Sequence, residues 1–485
     1  MTAGAPPTTT TAPAPVLTGP EAQRAAELVE LTGIRLADPQ TVADVAGADG
    51  NREPVFNTLM WEPMALSHGY PGTALMFGEL ARRDPKWLAP ADAHLRVALR
   101  EMPRNPTNGL YYGPAAVLAA AETVAGAEGH YATLRAKLTH WVAADQQKRL
   151  ASLRERTERG EQGVPWFAYD VINGLSGTGR LLLDAAAPEA GGTGVVSDTA
   201  DTALRATLEH LVRMTEPLDV RGERVPGWWI PQELQPVEQD KIQYPEGDFN
   251  LGLAHGAPGP LTLLCLAAER GVEVPGLRDA VRALAQWLAD WTMHDAAGPY
   301  WPCRVSWQEE TGAQRPDAGF TRTAWCYGAP GVAGALHRAG RLLGEQTWQD
   351  LAVSSMRVAL ERDESEWRVD GPTVCHGYAG LLQVLVRMAR DTGDETLAAG
   401  ARRMALRVLD FADEDAPFVF RHLVPDHPEG WRRATAHRRL DVAGVLEGAA
   451  GVACALLEVL PDGDARGTGG GLWRGAAWDR VLMLG

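Results

Sequence analysis

A short glycine turn followed by an apolar run recurs along the whole 485-residue chain. The first copy is SHGYPGTALMF, which starts at Ser67, and the fifth is CYGAPGVAGAL, which starts at Cys326. The second copy has Ala116 in place of its second glycine. Seven copies occur, and their first glycines are Gly69, Gly113, Gly174, Gly256, Gly328, Gly377 and Gly448. Their spacings range from 44 to 82 residues, which argues against a stacked solenoid of regular repeats.

The runs after the glycines differ in pattern from the segments between them. GVAGALHRAG, which starts at Gly331, is small and apolar on most sides, which is typical of a helix buried between two layers. LRDAVRALAQWLADWTMH, which starts at Leu277, places apolar residues three and four apart and charges on the opposite face. Seven buried helices that alternate with seven amphipathic helices predict an all-α fold, an α/α toroid with an inner and an outer ring.

Composition limits the partners and the location of the chain. Its 46 basic and 62 acidic residues give a net charge of -16, which opposes binding to nucleic acid. Residues 1–19 are rich in Pro, Thr and Ala and lack the pattern of a secretory signal, so we expect a disordered tail followed by one toroid domain over residues 20–485. No run of eighteen apolar residues is uninterrupted. We therefore expect a cytoplasmic protein that meets membranes only through partners.

Two cysteines occupy the same place in neighbouring repeats. Cys326 and Cys375 each stand two residues before the first glycine, and His376 follows the second cysteine. Neighbouring helices pack about 8–10 Å apart, so these turns can bring two thiolates and an imidazole around one ion. Thiolates favour zinc over magnesium or calcium, and three protein ligands are typical of a catalytic zinc site with an open position. The sequence predicts one Zn²⁺ per chain at this place.

The alternative interpretation is that a cysteine in such a run is simply a core residue, as free cysteines often are. The shared repeat position favours metal binding for Cys326 and Cys375. Cys265 and Cys454 lie inside apolar runs and Cys303 lies in an aromatic loop. For these three cysteines we expect a core position or another position without a functional role.

Several of these motifs together resemble one protein family. They are AYDVINGLSG, GLAHGAPG, RTAWCYGAPG and CHGYAG, with AAWDRVLMLG at residues 476–485. The set is similar to the lanthionine synthetase C-like family, above all to its free-standing bacterial cyclases. The resemblance implies an α/α toroid with a central zinc ion. It also implies an enzyme that adds a cysteine thiol of a precursor peptide to a dehydroalanine or dehydrobutyrine of the same peptide.

The resemblance also implies roles for individual residues. Cys326, Cys375 and His376 match the zinc ligands, and His255 and Asp170 match an acid/base pair. Such a pair suits the chemistry, because attack of a thiolate on the dehydro residue gives an enolate that must be protonated at its α-carbon. Other roles stay open from the sequence alone, since His255 could be a hydrogen-bonded structural histidine and Asp170 a helix cap or turn carboxylate.

Arg322 and Tyr327 match family residues that lie beside the metal. Arg322 could stabilise the enolate oxygen or anchor a loop, and Tyr327 could donate a hydrogen bond or pack against the metal-binding turn. His68 occupies the equivalent position in the first repeat, two repeats from the nearest ligand, and we interpret it as structural.

The implied partner is a dehydrated precursor peptide with leader and core segments, and a lanthipeptide dehydratase and a transporter are further candidates. Three long irregular stretches, at 216–250, 298–320 and 417–441, are candidates to hold the peptide. The third carries five arginines between Arg421 and Arg439. They could meet acidic leader residues, although a solvated basic loop is the simpler account.

Two functions from other classes compete with the cyclase. One is a zinc-free, non-catalytic scaffold that binds a peptide in a modification complex. The other is a carbohydrate-active or terpenoid-cyclising enzyme, because helical toroids host unrelated chemistries. A glycosidase needs paired carboxylates around the cavity, and the repeat positions offer only Glu447 and, further back, Asp170. This last function ranks well below the others.

Overall fold

The computed structural model describes residues 15–485 except 56, 104–105, 126–129, 187–193, 313–320, 428–435 and 462–476. In chain order the α-helices of this part are α1 (Gly19–Leu36), α2 (Pro39–Ala46), α3 (Tyr70–Ala81), α4 (Leu88–Glu101), α5 (Gly113–Ala125), α6 (Ala132–Glu158), α7 (Leu175–Ala185), α8 (Gly194–Met214), α9 (Glu238–Gln243), α10 (Pro258–Glu269), α11 (Leu277–Asp290), α12 (Trp307–Thr311), α13 (Ala329–Leu343), α14 (Gln346–Glu361), α15 (Tyr378–Thr392), α16 (Glu395–Asp410) and α17 (Ala449–Val459). The strands are β1 (Leu218–Val220), β2 (Glu223–Val225), β3 (Asp248–Asn250), β4 (Met293–His294), β5 (Pro299–Tyr300), β6 (Arg304–Ser306), β7 (His422–Pro425) and β8 (His437–Leu440).

Seven of the described helices form a closed inner ring. They are α3, α5, α7, α10, α13, α15 and α17, and each begins at or within two residues of one of the repeat glycines. Each helix contacts the next one, and α17 contacts α3 to close the ring. Their small apolar residues are buried on nearly all sides, because the ring packs against other residues both inside and outside.

Seven amphipathic helices surround this ring. Six of them, α4, α6, α8, α11, α14 and α16, each follow an inner helix and pack against it. The seventh is α1, which packs against the last inner helix α17, and just before it the amide of Leu17 donates to the carbonyl of Val459 at 3.1 Å. The predicted all-α toroid with two rings of seven helices is confirmed within the described residues.

The described residues begin within the predicted N-terminal tail of residues 1–19. Helix α1 begins at Gly19, and Leu17 is buried. Residues 1–14 of the predicted tail lie outside the described residues.

Backbone hydrogen bonds join the seven glycine turns into a second, smaller ring. The amide of Cys326 donates to the carbonyl of Cys375 at 3.3 Å, and the amide of Cys375 donates to Leu446 at 2.8 Å. The same pattern continues around the ring with Val445 to Leu66, Leu66 to Tyr111, Tyr111 to Ile172, Val171 to Ala254 and Ala254 to Cys326. The residues that precede the glycines therefore lie at one end of the toroid, which we call the turn face.

Glycine is required at two positions where the turn lies close to the backbone that precedes it. Gly328 has a φ of +91°, and a Cβ atom there would lie 1.5 Å from the carbonyl oxygen of Arg322. A Cβ atom on Gly331 would lie 2.4 Å from the carbonyl oxygen of Trp325. Any side chain at these positions would push the turn away from its helix.

Residues 478–485 fill the interior of the ring below the turn face. Trp478 and Leu482 are buried, and the carbonyl of Leu482 accepts a hydrogen bond of 2.9 Å from Nε1 of Trp325. The carboxylate of Asp479 accepts hydrogen bonds from Gln383 and Arg387 of α15. The turn face is therefore supported from below by packed side chains.

The strands lie in the long connections between α8 and α17 and form a rim around part of the turn face. They pair as β1–β2, β3–β6, β4–β5 and β7–β8, all antiparallel. Asn250 of β3 contacts Tyr327, and the ring of His422 in β7 lies 5.5 Å from that of His376. The rim thus contacts the turns of the fifth and sixth repeats. Among the described helices, none is both long and apolar enough to cross a bilayer.

Candidate metal centre and active site

Cys326, Cys375 and His376 come together on the turn face. One ligand atom from each of them lies within 4.8 Å of the other two. The cluster forms because the two cysteines occupy the same position in turns that are hydrogen-bonded side by side. These three residues, all within the described part of the chain, are the potential metal ligands that the sequence predicted.

The donor atoms of this cluster suit a soft divalent metal. The thiol of Cys375 hydrogen-bonds to the sulfur of Cys326, which lowers the pKa of Cys326 and raises the pKa of Cys375 well above its usual range. Burial lowers the pKa of His376 well below its usual range, and the positive charge of Arg322 adds to the effect. Two cysteine sulfurs and an imidazole that stays neutral are the donor set that zinc prefers once both thiols have lost their protons, so the residues fit this ion.

A buried carboxylate that sequence analysis missed lies behind the cluster. Asp370 is 1% exposed, and its carboxylate lies 3.5 Å from Nε2 of His376 and 3.2 Å from Nη2 of Arg322. His437 of β8 approaches the other oxygen at 3.7 Å. Asp370 stands outside the repeated turn, so the repeat pattern contains no signal for it.

His255 and Asp170 form a direct pair beside the metal cluster. Nδ1 of His255 contacts the carboxylate of the buried Asp170, whose second oxygen accepts the amide of Asn173. The ring of Trp166 lies 4.7 Å from that of His255. Nε2 of His255 has no hydrogen-bond partner among the described residues, so it is available to a ligand on the turn face.

Tyr327 lies between this pair and the cysteines. Its hydroxyl accepts a hydrogen bond of 3.0 Å from Asn250, and its ring lies 6.2 Å from that of His255. Burial raises the pKa of Tyr327 well above its usual range. The phenol therefore stays protonated at neutral pH and can serve as a hydrogen-bond donor.

On the other side of the cluster, His68 pairs with Glu447. Nε2 of His68 lies 2.8 Å from Oε2 of Glu447, and Nδ1 lies 3.1 Å from the hydroxyl of Ser67. Burial would raise the pKa of Glu447, but the attraction of His68, His422 and His376 lowers it to about 2. Both nitrogens of His68 are held by protein groups, which favours the structural role expected for it.

The other three cysteines are thiols without a disulfide. Cys265 and Cys454 are buried in α10 and α17, as expected of core residues. Cys303 is half-buried in the rim, where burial raises its pKa and the nearby Cys326 adds to the effect.

By its fold and its site, the protein is an α/α toroid with a candidate metal site at one end of the ring. This site is the Cys-Cys-His cluster, which lies beside a His-Asp pair. Comparison with known proteins identifies the family. The family model of the lanthionine synthetase C-like proteins matches residues 60–468. The chain belongs to this family, as its motifs predicted.

Two known proteins are similar to this chain and support the comparison. The nisin biosynthesis protein NisC of Lactococcus lactis subsp. lactis is 24% identical over 328 residues, which cover 66% of this chain and 72% of that protein. A solved structure of nisin cyclase superposes with a TM-score of 0.66 at 21% identity and covers 87% of this chain and 92% of that chain. The second comparison supports the fold.

Proposed function

We propose that this protein is a zinc-dependent lanthipeptide cyclase. It would add cysteine thiols of a dehydrated precursor peptide to dehydroalanine or dehydrobutyrine and so form lanthionine and methyllanthionine rings. The observation that carries the proposal is that one ligand atom each of Cys326, Cys375 and His376 lies within 4.8 Å of the other two, beside the His255–Asp170 pair. Family membership and the names of the relatives support the same reaction.

Cys326, Cys375 and His376 would hold one zinc ion. A bound zinc ion lowers the pKa of a coordinated thiol, which is about 8.5 in a free peptide. Arg322, which Asp370 holds beside His376, adds a positive charge next to this centre. Because Asp370 fixes the position of its guanidinium, we expect Arg322 to act through its charge and to stay in place during the reaction.

His255 is placed to manage the proton of the reaction. Its Nε2 accepts the proton of the incoming thiol, while Asp170 holds Nδ1 and stabilises the imidazolium. The sulfur forms a bond to the β-carbon, and the π electrons of the dehydro residue move to give an enolate. The imidazolium then returns its proton to the α-carbon. No oxidant or further reactant is needed, because one S–H bond and the π bond of one C=C are replaced by one C–S and one C–H bond.

Tyr327 can stabilise the enolate during this step. Its hydroxyl stays protonated, because burial raises its pKa, and it lies near His255 on the same face. A phenol that donates to a developing oxyanion in a site of low polarity lowers the barrier. Asn250 orients the hydroxyl by donating to its oxygen.

The chemistry of the substrate places the reaction after a dehydration of serine and threonine. We therefore infer that the partner in the cell is a precursor peptide that has met a dehydratase, and that the reaction takes place in the cytoplasm. A transporter would act on the product. A peptide-binding scaffold without catalysis is the second candidate function, and the same experiment separates the two.

The test uses a synthetic peptide that contains one cysteine and one dehydroalanine, followed by thiol alkylation and mass spectrometry. We expect the wild type to consume the free thiol, and His255→Ala to slow this by about 10²- to 10⁴-fold. Cys375→Ala should abolish it, whereas Cys265→Ala, a buried cysteine outside the site, should not. Equal thiol loss in all four proteins would refute the proposal, and tight peptide binding without thiol loss would favour the scaffold.

A further inference from the structure

Two side chains of one short segment contact the imidazole of His255. Asp170 contacts Nδ1, and the ring of Trp166 lies 4.7 Å from the imidazole ring at an interplanar angle of 46°. The amide of Asp170 donates to the carbonyl of Trp166 at 3.0 Å, so both residues belong to the same backbone turn. A change in this turn would therefore move both contacts of His255 together.

The two contacts restrain the imidazole in different ways. A hydrogen bond at Nδ1 holds one point of the ring and leaves the ring free to rotate about the axis of that bond. A flat side chain packed against the ring opposes this rotation, since close packing leaves few gaps between side chains. Trp166 therefore fixes the direction in which Nε2 of His255 points, and Nε2 is the atom that would exchange the proton.

Trp166 is itself held by the connection between α8 and α10. Its Nε1 donates to Oε1 of Gln235 at 3.3 Å, and Nε2 of Gln235 donates to the buried carboxylate of Asp248. Two residues before Trp166, the amide of Val164 donates to the carbonyl of Trp229 at 2.9 Å. Both the side chain and the backbone of this segment are therefore fixed by the same connection.

The guanidinium of Arg304 in β6 lies over the ring of Trp166. Its central carbon is 5.2 Å from the ring centroid, which is within the range of a cation–π contact. Asp240 holds Nη2 of Arg304 at 2.8 Å, and the second oxygen of Asp248 lies 3.3 Å from Nη1. The ring of Tyr244 lies 5.3 Å from the same guanidinium. The side chain of Arg304 is 11% exposed, so it presents a fixed plane to Trp166.

Arg304 stands directly opposite Asn250 in the β3–β6 ribbon. Asn250 donates to the hydroxyl of Tyr327 at 3.0 Å, whereas Arg304 lies over Trp166. One residue pair of the ribbon therefore contacts the phenol directly and reaches His255 through Trp166. The ribbon thus aligns two groups of the candidate active site that come from different repeats.

We propose that Trp166 is a positioning residue for His255, and that Arg304 acts on His255 through Trp166. The proposal rests on the proposed cyclase function, since it takes His255 to be the group that moves the proton. Trp166 fixes the plane of the imidazole, and Arg304 fixes the plane of Trp166. Neither residue needs to bond to the substrate, so both should affect the rate of the chemical step more than the binding of the peptide.

Initial rates of thiol consumption at several concentrations of the cysteine–dehydroalanine peptide separate kcat from KM. We expect Trp166→Leu, which removes the flat ring, to lower kcat by about 10²-fold and to change KM by less than about threefold. Trp166→Phe keeps a flat ring and should recover most of the rate. The matched control is Trp141→Leu, because Trp141 is a half-buried tryptophan on the outer helix α6, and this variant should keep the kcat of the wild type.

A double-variant cycle tests the path from Arg304 to His255. Lysine keeps the charge but lacks the planar guanidinium that packs on an aromatic ring, so Arg304→Lys should lower kcat by about tenfold. In a protein that already carries Trp166→Leu, the same change should cost little more, because residues that act along one path are not additive. Losses that multiply would show that Arg304 acts on the site by another route, and would overturn that half of the proposal.

The orientation of His255 is measured without any reaction. We expect a crystal structure of the wild type to show one orientation of the imidazole, and that of Trp166→Leu to show a rotated or divided ring that still contacts Asp170. Circular dichroism shows whether each variant is folded, and Arg304→Lys carries both measurements if Trp166→Leu is not.

These results separate the positioning role from the proposed function. An unchanged imidazole in Trp166→Leu overturns the positioning role, as does a kcat equal to that of a wild type that cyclises its peptide. A wild type that consumes no thiol contradicts only the cyclase, and the crystal structures then decide whether Trp166 positions His255.

Discussion

The carboxylate of Asp370 lies 3.5 Å from Nε2 of His376, and the backbone amide of Asp370 donates to the carbonyl of the same residue at 2.9 Å. One buried acidic residue therefore contacts both the side chain and the backbone of a candidate metal ligand. The same carboxylate holds Arg322 at 3.2 Å. Carboxylates in this position orient a ligating imidazole and raise its basicity.

We expect Asp370→Asn to weaken zinc binding by about 10- to 100-fold, because the amide cannot supply the negative charge behind His376. Competition with a coloured chelator measures the affinity, and thermal unfolding of the metal-free proteins shows whether the fold is intact. Asp350→Asn on α14, which is exposed, is the control and should bind zinc like the wild type. An affinity of Asp370→Asn equal to that of the wild type would remove Asp370 from the metal centre.

The purified protein should contain one zinc ion per chain, and Cys326→Ala should lose most of it. The reason is that two thiolates supply the larger part of the binding free energy of such a site. Metal analysis by mass spectrometry gives the ratio. Cys265→Ala removes a thiol that is equally buried in α10 but lies outside the site, and it should keep its zinc. Equal metal content in both variants would contradict the ligand assignment.

The residues inside the ring should contribute strongly to stability. Trp478 is 1% exposed below the turn face, and we expect Trp478→Ala to lower the free energy of unfolding by about 3–5 kcal/mol, the usual cost of removing a buried aromatic side chain. Urea unfolding followed by circular dichroism measures the change. Ile242→Ala, at a position that is 81% exposed, should change it by less than about 0.5 kcal/mol. A similar small change at Trp478 would mean that residues 478–485 are not part of the folded core.

Stability should fall in mild acid because His94 is buried in its neutral form. Its Nε2 lies 2.8 Å from the carbonyl of Leu36 and its Nδ1 lies 2.7 Å from the hydroxyl of Thr73, which suits one donor and one acceptor. Burial lowers the pKa of His94 from 6.5 to about 4. Between these values the unfolded chain takes up a proton that the folded chain does not, so the stabilisation is complete above pH 6.5 and is lost as the pH falls towards 4.

This difference in pKa corresponds to roughly 3 kcal/mol from this single histidine. Urea unfolding at several pH values between 7 and 4.5 measures it. His94→Gln should make the free energy of unfolding less dependent on pH, whereas His294→Gln, at an exposed position, should leave the dependence as it is. The account of His94 fails if both variants keep the slope of the wild type.

Much of the candidate site could be predicted because it repeats. Cys326 and Cys375 share one position of a recurrent turn, and the family motifs pointed to His255 and Asp170, which the structure brings into contact. The predicted roles of these residues, and of Arg322 and Tyr327, stay predictions. Asp370 and the pairing of Glu447 with His68 were missed, because they depend on which loops meet across the ring.

The sequence by itself determined the local structure of this protein. The glycines and the apolar runs encode turns and helices with fixed buried faces, and turns of equal form must lie side by side when those faces pack. Only the tertiary structure decided which distant segments complete the assembly. Helix α1 closes the outer ring on α17, Leu482 meets Trp325, and Arg304 meets Trp166. Such contacts depend on the shape of the whole closed ring, and a periodic pattern specifies which face of a helix is buried but not which partner covers it.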